Sequence, residues 1–265
     1  MKRRHFLASS LACSLSGSSA VLAFSPTQKK TNSVIEVRTY KLRNTMDRMG
    51  QRLNDYLSKH RLAALQRAGI TKVGYFGNVI GESSPYVIEV AEYKNLAHLE
   101  STWDSLAADK AFAEANQAID SLGSPSFLRI DSSLLRSFDG LPVLEMPKSE
   151  PGRAPRVFEL RTYESNSYGS LAKKIGMFNN GEIAIFRKTG LNPVFFGETI
   201  SGANAPNLTY MLWYDSLAAR EANWKTFVSH PEWDKLKATP GLSDAEVVSN
   251  ISNSILSPTA YSPIR

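Results

Sequence analysis

The sequence predicts an α+β fold built from two copies of one small module. The main observation is a repeated pentapeptide, since Glu36-Val37-Arg38-Thr39-Tyr40 returns as Glu159-Leu160-Arg161-Thr162-Tyr163. Each copy lies in a short segment of alternating apolar and polar residues, which is typical of a β-strand. Both segments are followed by the same order of predicted helices and strands. A repeat of this length is typical of a duplicated domain and not of a short solenoid unit.

The first module is predicted over residues 34–138. Its first strand is Val34–Leu42, and a helix capped by Asn44 or Thr45 extends to about Ala68, before Gly69. The remaining elements are a strand from Thr71 to about Val79, a turn over 81–85, a strand Tyr86–Tyr93, helices that begin at Asn95 and near Asp109, and a fourth strand Ser126–Phe138.

The second module is predicted over residues 157–257 and repeats this order. Its elements are a strand Val157–Tyr163, a helix Tyr168–Lys188 before Gly190, strands Asn192–Glu198 and Leu208–Tyr214, a helical region with Trp224 and Trp233, and a strand Glu246–Leu256. Residues 139–156 contain four prolines, which disfavour a helix, and are predicted to be a linker. The βαββαβ order of each half is the ferredoxin-like pattern. Its helices cover one face of the sheet, so two copies can pair their open faces.

Residues 1–23 are predicted to be an export signal. The sequence Arg3-Arg4-His5-Phe6-Leu7 resembles the twin-arginine motif and precedes a weakly apolar, Ser-rich stretch that ends near Ala23. This predicts a periplasmic or secreted protein, with general secretion as the alternative. Cys13 is the single cysteine and lies in this segment, so no disulfide is predicted. Lipidation at Cys13 is a less favoured alternative.

The charge pattern argues against two classes of partner. The formal net charge is +6, but three basic residues belong to the predicted signal. No block of Lys and Arg is long enough to predict a nucleic-acid or membrane surface. After the signal, no apolar run approaches the roughly 20 residues of a membrane helix. We therefore expect neither nucleic-acid binding nor a membrane span in the mature chain.

Several short motifs resemble the NIPSNAP family. They are the two E-x-R-T-Y strands, Val194-Phe195-Phe196-Gly197, Leu212–Leu217 and His230-Pro231-Glu232-Trp233. The resemblance covers nearly all of 34–257, counted as two modules, and the second copy is the closer match. It implies ferredoxin-like modules of the dimeric α/β-barrel type, paired within one chain or in a homo-oligomer. The family has no settled biochemical activity, so the resemblance indicates the fold more than the function.

The repeated strand supplies the candidate site. If Ile35, Val37 and Thr39 face the helices, the alternate residues face the open side of each sheet and meet in a shared lumen. An arginine there can bind a carboxylate or phosphate with two parallel hydrogen bonds, and a tyrosine can orient a ligand. The candidates for binding a small polar or anionic ligand are Glu36, Arg38, Tyr40, Glu159, Arg161, Tyr163 and Tyr214. The alternative is that the Glu–Arg pairs are structural ion pairs.

The histidines, tryptophans and remaining tyrosines do not form a recognisable catalytic or metal-binding motif. His60, His98 and His230 have no metal-ligand spacing. We expect His60 to face solvent or an interface, His98 to lie at a helix start, and His230 to be a cap or turn residue. Trp103, Trp224 and Trp233 are predicted to be core residues, whereas Tyr93 and Tyr214 fit either the core or the lumen rim. No metal or cofactor is predicted. A haem ligand stays open by analogy, because relatives on the same barrel scaffold bind haem.

The sequence leaves the activity undefined. It shows no Ser-His-Asp order, glycine-rich phosphate loop or cysteine cluster. The preferred hypothesis is an exported NIPSNAP-type protein that binds a small polar or anionic ligand or a protein partner, without catalysis. The alternative is a monooxygenase- or isomerase-like enzyme of the dimeric α/β-barrel type with a lumen site, and a purely structural role is a third option. A lumen filled by side chains would count against the enzyme.

Overall fold

Eight antiparallel strands close into one barrel. The structure is a computed structural model that describes residues 32–148, 150 and 152–265. The strands follow each other around the barrel in the order β1-β3-β2-β8-β5-β7-β6-β4. They are β1 Val34–Lys41, β2 Val73–Ile80, β3 Tyr86–Tyr93, β4 Arg129–Ser137, β5 Val157–Glu164, β6 Asn192–Ser201, β7 Asn207–Tyr214 and β8 Asn250–Pro258. Each module contributes four neighbouring strands. The modules join where β2 pairs with β8 and β4 pairs with β6, so they pair within one chain.

The helices cover the outside of the barrel. They are α1 Met49–Tyr56, α2 Leu62–Arg67, α3 Leu96–Ala108, α4 Lys110–Asp120, α5 Tyr168–Met177, α6 Ile183–Lys188, α7 Leu217–Val228, α8 Pro231–Lys237 and α9 Asp244–Val247. A π-helical turn joins α1 to α2 over Leu57–Arg61, and another joins α5 to α6 over Phe178–Glu182. No helix among the described residues is both long and apolar enough to cross a membrane.

Most helix boundaries agree with the signals in the sequence. The Asn95 side chain accepts a hydrogen bond from the backbone N–H of His98 at 2.9 Å, and Asp109 caps α4 in the same way. Gly69 and Gly190 follow α2 and α6 with positive φ angles of 86° and 78°. The predicted start of the first helix is wrong. It begins at Met49, because Asp47 accepts from the Met49 N–H and neither Asn44 nor Thr45 caps it.

The predicted start of the last strand is also wrong. Glu246 lies in α9, where its carboxylate and the Ser243 backbone and hydroxyl form a capping box. β8 therefore begins at Asn250. Residues 259–265 form a tail after β8 that turns back onto the barrel. The Thr259 N–H donates to the Tyr75 carbonyl, and Ile264 is fully buried.

The two faces of β1 are opposite to the prediction. Ile35 and Val37 pack into the lumen with Phe158 of the other module, whereas Tyr40 packs against the helices of its own module. Glu36, Arg38, Glu159 and Arg161 follow the same register and face the helices. Alternation distinguishes two faces of a strand but does not identify them when both are buried. The more apolar face of β1 lies towards the lumen, where the apolar packing would make an unpaired charge costly.

Apolar side chains fill the lumen. The rings of Phe76 and Phe158, one from each module, lie 4.8 Å apart at their centroids. Leu144 from the linker and Ile264 from the tail are buried in the same cluster. A recess of about 180 Å³ remains at one mouth, lined among others by Lys41, Tyr86 and Ser254. Apolar side chains thus occupy most of the space where the alternative enzyme hypothesis placed its site, which counts against that hypothesis.

Arg156 holds the linker and the tail together at one end of the barrel. Its guanidinium lies 4.7 Å from the ring centroid of Trp213. One terminal nitrogen donates to the Arg265 carbonyl at 2.6 Å and the other to the Lys148 carbonyl at 2.7 Å. One buried side chain therefore joins the linker and the tail to the second module.

Candidate functional site

The repeated strand residues form two separate clusters, one between the sheet and the helices of each module. The first cluster comprises Glu36, Arg38, Tyr40, Arg61, Glu89 and Tyr93. The second cluster comprises Glu159, Arg161, Tyr163, Lys174, Glu182, Tyr210, Tyr214, Arg220 and Trp224. All seven residues singled out from the sequence belong to them. They do not meet in a shared site, because the filled lumen separates the two clusters.

The carboxylate of Glu159 is fully buried and surrounded by donors. Arg220 donates twice, at 2.6 and 2.9 Å, and Arg161 donates at 2.9 Å. Burial opposes its ionisation, but the hydrogen bonds from Arg220 and the charge of Arg161 lower the pKa of Glu159 to about 2. The other donors, at 3.0 to 3.1 Å, are the Tyr214 hydroxyl, the Trp224 indole N–H and the Asn253 amide. The carboxylate is therefore structural, since its acceptor capacity is taken up.

Arg161 is paired on every arm. Its Nη1 donates to Glu159, its Nε donates to the Tyr210 hydroxyl at 2.9 Å, and its Nη2 donates to the Tyr163 hydroxyl at 3.2 Å. The guanidinium lies 4.6 Å from the ring centroid of Trp224. The second cluster thus leaves no arm of Arg161 for a ligand.

Lys174 and Glu182 form a buried ion pair beside this arginine. The ammonium nitrogen lies 3.1 Å from one carboxylate oxygen of Glu182. It also lies within 5.6 Å of the ring centroids of Tyr163, Phe178 and Trp233. Burial raises the pKa of the Glu182 carboxyl to about 7, and the Lys174 charge offsets only part of that effect.

The first cluster has the same framework with different charges. Glu36 accepts from Arg38 Nε at 2.6 Å, from the Tyr93 hydroxyl at 3.1 Å and from Ser132 at 2.9 Å. A second acid, Glu89, is held by two parallel hydrogen bonds from Arg61, at 2.6 and 2.7 Å. The Tyr40 hydroxyl donates to Glu89 at 3.4 Å.

Arg38 is only partly paired, in contrast to Arg161. Its Nε binds Glu36, but its Nη1 and Nη2 have no hydrogen-bond partner among the described residues, and the side chain is 19% exposed. One substitution and one difference in packing distinguish the copies. Glu89 stands in β3 where Tyr210 stands in β7, and it is bound by Arg61, whereas Tyr210 accepts from Arg161. Trp103 is 46% exposed where Trp224 covers Arg161. The prediction that Trp103 is a core residue is therefore wrong.

A cleft of about 580 Å³ adjoins the first cluster. It lies between α1, α4 and the segment before β4, with Tyr56, Asn116, Ser126 and Phe127 in its walls. The edge of Phe127 meets Tyr40, with ring centroids 5.8 Å apart. Burial raises the pKa of Tyr56, and the charges of Arg61, Glu89 and Arg38 act on the same hydroxyl. Tyr56 in the cleft wall is thus coupled electrostatically to the buried charges of the first cluster.

In the second module, the short helix α9 occupies the position that corresponds to this cleft. Val247 of α9 precedes β8 by three residues, as Ser126 precedes β4, and Val247 is buried in the helix–sheet core. The Ser126 hydroxyl is buried without a hydrogen-bond partner among the described residues. The first module is therefore the more open copy at both the arginine and the cleft.

Sequence reasoning missed the charged partners that the helices supply. Arg61 and Glu182 end the two π-helical turns at equivalent positions and point towards the sheet. Such turns are frequent at functional sites, but nothing in the sequence pattern reveals them. One residue that the sequence does mark is Glu89, an acid flanked by apolar residues near the middle of strand β3. Arg220 lies on a helix without a clear polar face and gave no signal.

The remaining predicted residues have structural roles. Tyr93 and Tyr214 are buried between sheet and helices, so the lumen-rim interpretation is wrong. His230 caps α8 as predicted, accepting from the Glu232 N–H at 3.2 Å. Trp233 is buried and Trp224 is partly buried, as predicted. Among the described residues, no three His, Cys, Asp or Glu side chains converge as metal ligands.

Comparison with known families identifies the class of protein. The NIPSNAP family model matches residues 35–136 and 158–263. The chain therefore belongs to the NIPSNAP family and carries two copies of its domain. The family does not define a biochemical activity, and no curated protein matches the chain significantly.

Solved structures support the same fold. A candidate monooxygenase from Fusobacterium nucleatum superposes with a TM-score of 0.55 and 9% identity, over 86% of this chain and 93% of that chain. A candidate monooxygenase from Lactobacillus acidophilus gives 0.51 and 12%, over 86% and 94%. A NIPSNAP family protein from Agrobacterium tumefaciens is 24% identical over 42% of this chain and 99% of that chain, with a TM-score of 0.37. At these identities the likeness concerns the fold: two ferredoxin-like modules in a dimeric α/β-barrel arrangement.

Proposed function

We propose that the protein binds a small carboxylate ligand between the sheet and the helices of its first module. The observation that carries the proposal is the state of Arg38, whose two terminal nitrogens have no partner among the described residues. An identical arginine in an identical motif, Arg161, is fully paired. A partly buried guanidinium with two parallel free donors matches the geometry of a carboxylate.

The cleft beside the cluster defines the rest of the ligand. Its walls combine aromatic and apolar side chains with polar groups and one carboxylate, Asp120, and the other side chains include Tyr56, Phe127, Ile119, Asn116 and Ser126. A volume of about 580 Å³ lies within the usual range for a small-molecule site. The combination favours a compact ligand with an aromatic or apolar body and one carboxylate.

The ionisable groups of the first cluster favour binding over proton transfer. Burial opposes ionisation of Glu89, but the charge and hydrogen bonds of Arg61 lower its pKa below the usual value. Burial, together with the Glu89 charge, raises the pKa of Tyr40 far above its usual range. A catalytic acid or base works best with a pKa near the ambient pH, which neither group has. This supports a binding protein, in keeping with the preferred hypothesis from the sequence.

The test uses benzoate as the probe and melting temperature as the measurement. A ligand that binds only the folded state raises the melting temperature, by several degrees at about 100 times its dissociation constant. We expect benzoate at about 10 mM to stabilise the wild-type protein and to have at least tenfold weaker affinity for Arg38→Lys, which keeps the charge but loses the paired donors. Arg161→Lys is the matched control and is expected to keep the response. An absent wild-type response, or equal affinities in wild type and Arg38→Lys, overturns the proposal.

We also propose that the chain is exported by the twin-arginine route. The support is the Arg3-Arg4-His5-Phe6-Leu7 motif, which lies outside the described residues. Cell fractionation of wild type and of a variant with Arg3→Lys and Arg4→Lys tests the route. We expect the wild type in the periplasm or medium and the variant in the cytoplasm, and export of both at equal levels would contradict it.

A further inference from the structure

A second cleft in the first module, on the side of Lys72 and His98, has the composition of an anion site. Its volume is about 420 Å³. The residues that line it and bear on its charge are Ser33, Lys72, Glu92, Lys94, Asn95 and His98. It shares no lining residue with the cleft near Arg38, so it is a separate site.

The amino-terminal end of α3 opens into this cleft. The helix has 13 residues, and its cap Asn95 and first-turn residue His98 both line the cleft. Asn95 satisfies the N–H groups of His98 and Leu99, which leaves those of Leu96 and Ala97 without a partner among the described residues. Free N–H groups and the positive end of the helix dipole together attract anions.

A buried side chain gives the independent evidence. Ser33 lines the cleft and is only 2% exposed, yet its hydroxyl has no hydrogen-bond partner among the described residues. An unpaired buried hydroxyl costs free energy, and a bound acceptor would remove that cost. Ser33 therefore indicates a ligand that accepts hydrogen bonds.

The charges in the cleft favour an anion. Glu92 is the only carboxylate among the described residues that line the cleft, and it is already bound by Lys72 at 2.8 Å and by the Leu144 N–H. Lys94 has no ion-pair partner among the described residues. His98 accepts from the Lys94 N–H through Nδ1, so its proton lies on Nε2 as a further donor. The groups of the cleft that lack a partner are thus hydrogen-bond donors and one positive charge.

In the second module, larger side chains occupy the space that corresponds to this cleft. Arg156 precedes β5 as Ser33 precedes β1, and Trp213 occupies in β7 the position of Glu92 in β3. The Arg156 guanidinium lies on Trp213 and binds two backbone carbonyls. The corresponding cleft there holds about 280 Å³ and is lined by this pair. The smaller Ser33 leaves the space open in the first module.

We propose that this cleft binds a phosphate-type oxyanion, either free inorganic phosphate or the phosphate group of a small molecule. The anion would accept from the Leu96 and Ala97 N–H groups and from the Ser33 hydroxyl, and Lys94 would balance its charge. This site does not depend on the proposed carboxylate site.

The experiment is titration calorimetry of the full chain with inorganic phosphate. We expect saturable binding with one site per chain, and about tenfold weaker binding in Lys94→Gln. Leu96→Pro tests the helix directly, because proline fits the first position of a helix and removes one free N–H. We expect it to weaken phosphate binding several-fold. Leu217→Pro, at the first position of α7, is the matched control and is expected to bind phosphate like wild type.

The outcomes separate the two proposed sites. Lys94→Gln is expected to keep the benzoate response, and Arg38→Lys is expected to keep phosphate binding. Absence of saturable phosphate binding overturns the phosphate site. Equal binding by wild type, Lys94→Gln and Leu96→Pro also overturns it, because phosphate would then bind elsewhere. If phosphate binding is weak but glycerol phosphate binds tightly in a Lys94-dependent way, the proposal holds and the ligand is a phosphorylated small molecule.

Discussion

Arg38 and Arg161 show how one residue in one motif acquires two roles. Both lie on the first strand of their module and both bind the glutamate two residues earlier. The difference comes from β3 and β7, which supply Glu89 in one module and Tyr210 in the other. Tyr210 accepts from Arg161, whereas Glu89 is bound by Arg61. The sequence identified both arginines, but it could not show these partners because they come from elements remote in the chain. The role of such a residue is set by its neighbours more than by its motif.

The two arginines are expected to differ in their contribution to stability. Arg161→Ala removes a donor from buried Glu159 and from the hydrogen-bonded pair of Tyr210 and Tyr163, so we expect a loss of about 3 kcal/mol in the free energy of unfolding. Arg38→Ala removes one hydrogen bond, and we expect a loss of about 1 kcal/mol. Urea unfolding of both variants measures the difference. Equal losses would contradict the view that only Arg161 is structural.

Glu182 is expected to give the protein a pH-dependent stability. Its carboxyl ionises near 4.5 in the unfolded chain, but burial raises the pKa to about 7 in the fold. The folded state holds this proton more tightly, so the contribution is fully present below pH 4.5 and is lost as the pH rises to 7. We expect the free energy of unfolding of wild type, relative to Glu182→Gln, to fall across this interval. Urea unfolding at several pH values measures it.

Glu159 supplies the contrast for that measurement. Its pKa of about 2 lies below the unfolded value, so its contribution is present above pH 4.5 and is lost only as the pH falls towards 2. It does not change between pH 4.5 and 7. A constant difference between wild type and Glu182→Gln over that interval would show that Lys174 keeps Glu182 ionised in the fold.

At the level of elements, local signals proved more reliable than face assignments. Asn95 and Asp109 cap their helices because a side-chain oxygen reaches a free N–H within one turn. This interaction is contained in a few adjacent residues, so the sequence reveals it. The direction that Glu36 faces depends on what packs against β1 from elsewhere in the chain. Strand and helix order could therefore be predicted, whereas the location of the site could not.

The glycines after α2 and α6 form a matched pair for a test. Both have positive φ, so Gly69→Ala and Gly190→Ala each carry a backbone cost of about 1 kcal/mol. A β-carbon at Gly190 would lie 2.8 Å from the Asn223 amide nitrogen. At Gly69, no described atom beyond the two neighbouring residues in the chain would lie within 4 Å of it. We expect Gly190→Ala to lose clearly more stability than Gly69→Ala in urea unfolding. Equal losses would mean that Asn223 moves away without cost.

At the level of the whole molecule, the lumen couples the two modules. Each sheet presents an apolar face that only the other sheet covers, and Leu144 and Ile264 close one end. The repeat in the sequence predicted two modules and their possible pairing. It could not show the role of Ile264, because a short apolar segment after two prolines has no period. The contact of Ile264 with the lumen, which closes one end of the barrel, therefore could not be predicted from the hydrophobic pattern of the sequence.

Ile264 is expected to contribute strongly to stability for its size. It is fully buried against the lumen, and its Cβ would lie 2.9 Å from a β-carbon placed on Gly74. We expect Ile264→Ala to reduce the free energy of unfolding by about 3 kcal/mol, because it leaves a cavity in the lumen. Ile251→Ala, at an exposed position, is the control, with an expected change of at most about 0.5 kcal/mol. Similar losses in both variants would show that the tail is not part of the core.

The position of β8 in the barrel has a consequence for the synthesis of the chain. This strand lies between β2 and β5, so the junction between β2 and the second module stays open until residues 250–258 have left the ribosome. The apolar face of the first sheet is complete at Ser137. At the usual rate of translation, this apolar face therefore remains without the completed second sheet for roughly ten seconds. During that interval the nascent chain offers a ready surface to a chaperone or to another nascent chain.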